Sequence, residues 1–288
     1  MTRPAPSLRV GFIGLGSQGG PMARRIVDEG YPLTVWARRA AAVEPFADTP
    51  AAVAPTPAAV GAASDVVGVC VVADADVEDV VLGPDGVPGP DGVLAGMAPG
   101  GIVAVHSTVH PDTCRRLAEA AAERGVAVVD APVSGGGGAA AERRLLVMAG
   151  GDDEHVARCR PVFETFADPV IHLGPLGSGQ MAKLLNNLVF TAQITMALDT
   201  FSFADRLGVD RAALADVLAH GSGGSRVAAI LAMTGFDTSG MRGAAPLLRK
   251  DVDIVLDVAR SRDAAQPDAL VSLAERTLST LTAPDQAG

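Results

Sequence analysis

Short apolar runs alternate with amphipathic stretches over the first 174 residues of the chain. Several runs are continuously apolar, which is typical of parallel strands that are covered on both faces. They predict strands at residues 10–13, 33–36, 66–72, 102–105, 126–129, 145–149 and 170–173, with helices between them, as at 111–124 and 153–163. Alternation of this kind predicts a doubly wound α/β domain.

The pattern changes after Gly174, where strand signals give way to helical patterns. The longest covers residues 178–207 and is apolar on most sides, so we expect this helix to be buried between two domains and against a second subunit. Further helices are predicted at residues 211–219, 225–231, 244–259 and 267–281, followed by a loose tail at 283–288. The sequence therefore predicts an α/β domain over residues 1–174 and an all-helical domain over residues 175–288.

A glycine-rich turn separates the first strand from the first helix. It consists of Gly14, Leu15, Gly16, Ser17, Gln18 and Gly19, and a helical pattern follows. The spacing G-x-G-x-x-G between a strand and a helix is the arrangement that binds a dinucleotide. Gly14 permits the tight turn, Gly16 lets the backbone approach a pyrophosphate, and Gly19 lets the helix pack closely on the strand. The alternative is an ordinary glycine-rich turn.

The tip of the second strand bears on the choice of cofactor. NAD-binding folds place an acidic residue there, about 20 residues after the glycines, to hold the ribose 2′-hydroxyl. This chain has Arg38 and Arg39 instead, and no acid before Glu44. Two guanidinium groups suit a 2′-phosphate, so NADP is favoured, with NAD as the alternative cofactor. The alternatives are that the arginines are solvated surface charges, or that Arg38 stacks on the adenine of either cofactor.

The composition excludes several classes of protein. A formal net charge of −10 disfavours nucleic acid as a partner, because no basic surplus is present to neutralise phosphates. The three cysteines are far apart and form no C-x-x-C pair, so we expect neither a disulfide framework nor a metal site. Residues 1–9 lack the apolar core of a signal peptide, and no apolar run of about 20 residues could span a membrane. We therefore expect a cytoplasmic protein with no membrane partner.

Later strand ends carry further candidates. Val72 and Ala73 follow one strand, Thr108 follows the next, and both segments should lie near the cofactor, because ligands bind at the carboxyl ends of parallel strands. Ser134 follows another strand and precedes the consecutive glycines Gly135 and Gly136, whose N–H groups could form a nest for an anion. A plain flexible loop is the alternative.

Two lysines lie on apolar helical patterns. Lys183 and Asn187 are four residues apart and therefore share a helix face. A lysine and an amide in an apolar helix are costly unless they have partners, although a surface stripe with a snorkelling lysine is the alternative. The second lysine, Lys250, could instead form an ion pair with Asp251 or Asp253.

Together these stretches resemble the β-hydroxyacid dehydrogenase family, which includes 3-hydroxyisobutyrate dehydrogenase and tartronate semialdehyde reductase. Four motifs match in order: the glycine turn at 14–19, the stretch Asp-Ala-Pro-Val-Ser-Gly-Gly at 130–136, residues 174–187 with the lysine and asparagine, and the Lys-Asp pair at 250–251. The resemblance implies a Rossmann-type doubly wound domain followed by an all-α domain, and dimers or tetramers.

The resemblance also implies residue roles. Lys183 would be the catalytic lysine, Asn187 and the segment Ser134, Gly135 and Gly136 would hold substrate, and Thr108 and Lys250 would contact the cofactor. The chain departs from the family pattern at Arg143-Arg144 and at Ala139, and its residues 221–226 indicate no particular substrate, so the resemblance implies the chemistry but names no substrate.

We therefore expect an NADP-preferring oxidoreductase that interconverts a short β-hydroxy acid and its semialdehyde or keto acid, with Lys183 as the general acid and base. An imine reductase of the same architecture is one alternative, and a non-catalytic NADP-binding scaffold protein is the other. The resemblance to imine reductases is to proteins that usually lack the lysine, so Lys183 argues against the first alternative. The presence of Lys183, Asn187 and Lys250 together argues against the second.

Overall fold

The computed structural model describes residues 8–283. Its internal contacts divide the chain into two compact units, residues 1–183 and 184–288, so that the division falls within a long helix. The division from sequence at Gly174 stays a prediction. Most of the predicted tail, residues 284–288, lies outside the described part of the chain.

The first unit is built on a parallel sheet of six strands. These are β1 (Val10–Ile13), β2 (Leu33–Trp36), β3 (Ala52–Val53), β4 (Val66–Val69), β5 (Ile102–Val105) and β6 (Ala127–Asp130). Their order in the sheet is β3-β2-β1-β4-β5-β6, which is the doubly wound order of dinucleotide-binding folds. The crossover lies at β1, so the loops after β1 and β4 leave the sheet side by side.

Helices cover both faces of this sheet. The helices of the first unit are α1 (Gly19–Asp28), α2 (Pro57–Ala62), α3 (Asp74–Val81), α4 (Val93–Gly96), α5 (Pro111–Ala122), α6 (Gly136–Ala141) and α7 (Asp153–Phe163). Of these, α6 packs on α1 and on a strand outside this sheet, Leu145–Ala149. Successive side chains of a strand point to opposite faces. Phe12 therefore packs with Phe163 on one face, and Ile13 with Leu117 on the other. Burial on both faces explains why these strands are continuously apolar.

A second, smaller sheet follows the first. It contains β7 (Val133–Ser134), β8 (Leu145–Ala149) and β9 (Ala167–His172), with β7 antiparallel and β9 parallel to β8. The sequence pattern predicts strands at 145–149 and 170–173 but does not separate them from the main sheet. A two-residue strand such as β7 carries no readable periodicity, which explains why the sequence does not reveal this sheet.

The second unit is helical. The long helix α8 (Ser178–Arg206) enters it from the first unit, and α9 (Arg211–His220), α10 (Arg226–Met233), α11 (Ser239–Ser261) and α12 (Asp268–Thr282) follow. Asp210 and Ser225 cap α9 and α10 by accepting hydrogen bonds from Ala213 N and Ala228 N. The fold class predicted from the sequence is confirmed. Among the described helices, none combines the length and the apolar character that crossing a membrane requires.

Candidate functional site

The glycine turn after β1 has the geometry of a dinucleotide-binding loop. Gly14 has a φ of +95°, and a Cβ atom there would lie 2.2 Å from the carbonyl oxygen of Cys70. A Cβ on Gly19 would lie 1.9 Å from the carbonyl oxygen of Gly14. A side chain at Gly14 would therefore push the turn away from the segment after β4, and one at Gly19 would push α1 away from the end of β1. A Cβ on Gly16 would meet no atom of the described residues within 4 Å. The turn is therefore tight on its inner side and open on its outer side.

The remaining residues of the turn differ in burial. Leu15 is buried in the core beneath the turn, and Ser17 is exposed. Gln18 stands at the cap position of α1 without a capping hydrogen bond from its side chain. The N–H groups of Gly20 and Met22 donate to the carbonyl oxygens of Gly16 and Gln18, and Pro21 has no N–H, so these donors tie the start of α1 to the turn. A Cβ on Gly137 of α6 would lie 2.1 Å from the carbonyl oxygen of Ser17, so the start of α6 supports the turn.

The two arginines after β2 are exposed, and one of them has a partner. Arg38 is 68% exposed and forms an ion pair with Asp76 of α3, with 2.9 Å between Nη2 and Oδ1. The other oxygen of Asp76 accepts a hydrogen bond from the backbone N–H of Ala73, across 3.3 Å. Asp76 thus joins two segments that the sequence assigns to the cofactor, the tip of β2 and the loop after β4. Arg39 is exposed.

The Thr108 loop after β5 is fixed by a side chain that the sequence does not single out. Gln180 of α8 is completely buried. Its Nε2 donates to the carbonyl oxygen of Ser107, across 2.8 Å, and its Oε1 accepts from Val109 N, across 3.1 Å. Thr108 lies between these two anchor points and is partly exposed. No local signal marks the interaction, because 73 residues separate Gln180 from Ser107.

Asp130, at the end of β6, accepts hydrogen bonds from the start of α8. Its carboxylate is buried and accepts from the backbone N–H groups of Gly177 and Gln180, each across 2.7 Å. Burial raises the pKa of this carboxyl, and the hydrogen bonds from the backbone oppose the rise. The contact joins the carboxyl end of the sheet to the helix that carries Lys183.

The Ser134 segment lies between a short strand and a short helix. Ser134 ends β7 and is partly exposed, and α6 begins two residues later. Gly135 and Gly136 have φ values of +135° and +77°. A Cβ on Gly135 would lie 2.8 Å from the Cβ of Ala139, which is one of the positions that depart from the family pattern.

Two histidines near these loops have structural surroundings. His106, which follows β5, donates a hydrogen bond from Nδ1 to the carbonyl oxygen of Ala131 and contacts the rings of Phe163 and Phe166. Burial lowers the pKa of His106 to about 4, so the ring is neutral at neutral pH. His110 caps α5 by accepting from Asp112 N.

Lys183 and Asn187 lie one turn apart on α8. Lys183 belongs to the first unit and is 9% exposed. In the second unit, Asn187 Nδ2 donates to Oδ2 of the buried Asp251, across 2.6 Å. Lys250 Nζ lies 2.9 Å from the other oxygen of Asp251, so the ion pair considered from the sequence is present.

The two arginines that depart from the family pattern contact neighbouring residues of the chain. Arg143 donates to the carbonyl oxygen of Glu164, and Arg144 pairs with Glu142 at the surface. Residues 221–224 connect α9 to the capping residue of α10.

The candidate cofactor segments of the first unit thus all lie at the carboxyl ends of β1, β2, β4 and β5.

Two family models match consecutive parts of the chain. Residues 9–174 match the NAD binding domain of 6-phosphogluconate dehydrogenase, and residues 177–287 match the model described as NAD-binding of NADP-dependent 3-hydroxyisobutyrate dehydrogenase. The chain belongs to the β-hydroxyacid dehydrogenase family. A 3-hydroxyisobutyrate dehydrogenase of Pseudomonas aeruginosa is 34% identical over 75% of this chain and 70% of its own length.

Solved structures agree with this membership of the β-hydroxyacid dehydrogenase family. Mycobacterium tuberculosis 3-hydroxyisobutyrate dehydrogenase with L-serine has a TM-score of 0.80 at 26% identity, over 96% of this chain and 99% of its own. Psf3 in complex with NADP+ and 2-OPP has a TM-score of 0.81 at 30% identity, over 94% and 93%. The prediction of an NAD(P)-dependent hydroxy-acid oxidoreductase is confirmed. The preference for NADP, the substrate and the residue roles stay predictions.

Proposed function

We propose that this protein is an NADP-preferring dehydrogenase that interconverts a short β-hydroxy acid and its semialdehyde or keto acid. The observation that carries the proposal is the rarity of lysine in this chain and the burial of one of its two lysines. The 23 basic residues of the chain include two lysines, Lys183 and Lys250, and the other 21 are arginines. Arginine serves for a surface charge, but it cannot release its proton near neutral pH, whereas lysine can when its surroundings permit. The nearly buried lysine on α8 therefore favours proton transfer over a packing role.

The first unit fits a dinucleotide on two observations. Space is open in front of Gly16, where a backbone must approach a pyrophosphate, and α1 begins at the same turn, so the positive end of its dipole faces that space. The exposed guanidinium groups of Arg38 and Arg39 favour a 2′-phosphate. We assign the backbone at Val72 and Ala73, and the side chains of Thr108 and Lys250, to further contacts with the cofactor. When bound, the nicotinamide cofactor accepts or supplies the hydride.

The chain's own groups would move the proton and hold the acid. Lys183 Nζ takes the proton of the substrate hydroxyl during oxidation and returns it to the carbonyl oxygen during reduction. Asn187 orients the ammonium group and the reacting oxygen. Ser134 and the N–H groups of Gly135 and Gly136 hold the carboxylate, because two neighbouring glycines with positive φ can turn their N–H groups towards one anion.

The test is a panel of small substrates read at about 340 nm, the absorbance of reduced nicotinamide. Hydroxyisobutyrate, glycerate, other short hydroxy acids and a cyclic imine are each offered with NADP(H) and with NAD(H). We expect turnover of at least one β-hydroxy acid, with a higher kcat/KM for NADP. Turnover of the imine alone would indicate an imine reductase, and cofactor binding without any turnover would indicate a scaffold protein.

We also propose that the protein is a homodimer or homotetramer. Leu185, Val189, Met196 and Phe203 are exposed on α8, although the sequence pattern predicts burial on all sides of this helix. Their spacing places them on one face at 3.6 residues per turn. A second copy of the chain is the occupant that we propose for this face.

A further inference from the structure

The Thr108 loop is held on both sides by one buried side chain. The carboxamide of Gln180 donates to the peptide carbonyl before Thr108 and accepts from the peptide N–H after it, across 2.8 and 3.1 Å. The carboxamide thus supplies the loop backbone with one donor and one acceptor, as a neighbouring strand would in a sheet. A carboxamide is suited to this role because it offers one donor and one acceptor in a fixed plane.

The same residue connects two other elements to the helix that carries Lys183. The backbone N–H of Gln180 donates to Asp130 at the end of β6, across 2.7 Å. Through Ser107, whose hydroxyl accepts from Val71 N across 2.8 Å, the interaction reaches the loop after β4 that continues into Val72 and Ala73. Lys183 follows Gln180 by three residues on α8 and therefore lies on the adjoining turn of the same helix.

We propose that Gln180 is a positioning residue, which fixes the Thr108 loop relative to the helix turn that carries Lys183. The inference rests on the proposed function, since it assigns the cofactor to the loops after β4 and β5 and the proton to Lys183. Without the carboxamide, the carbonyl of Ser107 and the N–H of Val109 would be buried without partners, which is more costly than the loss of an exposed hydrogen bond. The loop would then move to find other partners.

Replacement of Gln180 by glutamate separates positioning from simple packing. The introduced carboxylate, when ionised, would present acceptors only and would face the carbonyl of Ser107, so the loop would be released. A protonated carboxyl supplies one donor and one acceptor and restores both contacts. Burial and the neighbouring Asp130 carboxylate favour the protonated form and raise the pKa of the introduced carboxyl.

Other titratable groups also surround this position. The Cys114 thiol of α5 lies within hydrogen-bonding reach of Gln180, and burial keeps the pKa of this thiol well above its usual value. The carboxylate of Asp74, at the start of α3, lies near Cys114 and also disfavours a further negative charge. Lys183, on the next turn of α8, is the nearby basic group on the same helix and favours ionisation.

The experiment measures NADPH binding by nicotinamide fluorescence at pH 8 and at pH 5.5, with each variant compared with the wild type at the same pH. Q180M should bind NADPH at least about tenfold more weakly at both pH values. Q180E should bind as weakly at pH 8 and approach the wild type at pH 5.5. The control is Q193M, a glutamine of the same helix for whose side chain the described structure gives no hydrogen bond.

Hydrogen exchange at the amide of Val109 provides a readout that needs neither substrate nor cofactor. The amide should exchange slowly in the wild type and in Q193M, and rapidly in Q180E at pH 8. If Q180M does not fold, Q180E alone decides, since it is its own control at pH 5.5. Wild-type affinity and slow exchange in a folded Q180M, or in Q180E at every pH up to the highest at which the wild type stays folded, would overturn the proposal.

Turnover separates this inference from the proposed function. With an accepted hydroxy acid, Q180E should lower kcat more than it raises the substrate KM. The kcat of Q180E, compared with that of the wild type at the same pH, should recover at low pH. If no hydroxy acid is turned over, the proposed reaction fails, while the binding and exchange measurements still decide whether Gln180 holds the loop.

Discussion

Asn187 donates a hydrogen bond from Nδ2 to Oδ2 of Asp251, across 2.6 Å. The acceptor is 4% exposed, and a hydrogen bond to a buried carboxylate is among the stronger ones in proteins. The bond fixes which end of the Asn187 amide faces Asp251. The side-chain oxygen of Asn187, Oδ1, therefore faces away from Asp251, and it accepts a hydrogen bond from Asn186 Nδ2.

Asp251→Asn is therefore expected to reduce turnover without abolishing cofactor binding. The substitution weakens the bond to Asn187 and removes the ion pair with Lys250, and the loss of a charge-assisted bond corresponds to a decrease in kcat of about 10- to 150-fold. The control is Asp253→Asn on the same helix, because Asp253 is exposed and pairs only loosely with Arg249, at 3.5 Å. Equal kcat values in the two variants would remove Asp251 from the site.

The ion pair of Arg38 with Asp76 leads to a prediction about cofactor choice. Arg38→Ala should weaken NADP binding about 10- to 150-fold and NAD binding much less, because only NADP offers a 2′-phosphate. Asp76→Asn should have the opposite effect. It retains an acceptor for Ala73 N but releases Arg38 and removes a negative charge beside it.

The measurement is fluorescence titration with NADPH and with NADH. The control is Arg24→Ala, since Arg24 is a partly exposed arginine that also pairs with a carboxylate, that of Asp28 on α1. A wild type that prefers NADH, or a parallel loss of both affinities in Arg38→Ala, would contradict the preference for NADP.

Much of the α/β unit could be predicted because its buried strands are marked by short, contiguous apolar runs in the sequence. Apolar runs such as 10–13 and 102–105 match β1 and β5 in both bounds, since burial on both faces leaves no polar position within them. β3 is a short exposed strand and β7 is equally short, so neither produces a periodic pattern. The predicted strand 66–72 is too long, because Cys70 to Val72 remain apolar after the ladder with β5 has ended.

The candidate site is predictable only where a motif is contiguous. The glycine turn has its chemistry within six residues, and the resemblance to a family supplies roles for Lys183 and Asn187. Gln180 and Asp130 act through partners 73 and 47 residues away in the chain, respectively. Only the fold brings such pairs together, and a buried carboxylate or carboxamide looks like any other polar residue in the sequence.

The exposed face of α8 predicts self-association. Light scattering at micromolar concentration should give the mass of a dimer or tetramer, and Phe203→Glu should shift the protein towards the monomer, because it places a charge in an apolar contact. Met233→Glu is the control, since Met233 is 85% exposed on α10. A monomeric wild type would contradict the prediction.

The Ser134 segment predicts how the acid is bound. Ser134→Ala should raise the substrate KM more than it lowers kcat, because a carboxylate contact of equal strength in the ground state and the transition state has that kinetic effect. Ser279→Ala, at an exposed position on α12, serves as the control in the same steady-state assay. A KM equal to that of the wild type would exclude Ser134 from the binding of the carboxylate.

Lys183 provides the most direct test of the reaction. Lys183→Ala should lower kcat by at least about a hundredfold, since loss of a general acid and base typically costs about 10² to 10⁴ in rate. Lys183→Arg keeps the positive charge but should fail to a similar extent, because a guanidinium group does not give up its proton near neutral pH. NADPH affinity, measured by fluorescence, should stay near the wild-type value in both variants, which shows that the first unit is intact. If Lys183→Arg kept most of its kcat, the lysine would act through its charge alone, and another group would have to move the proton.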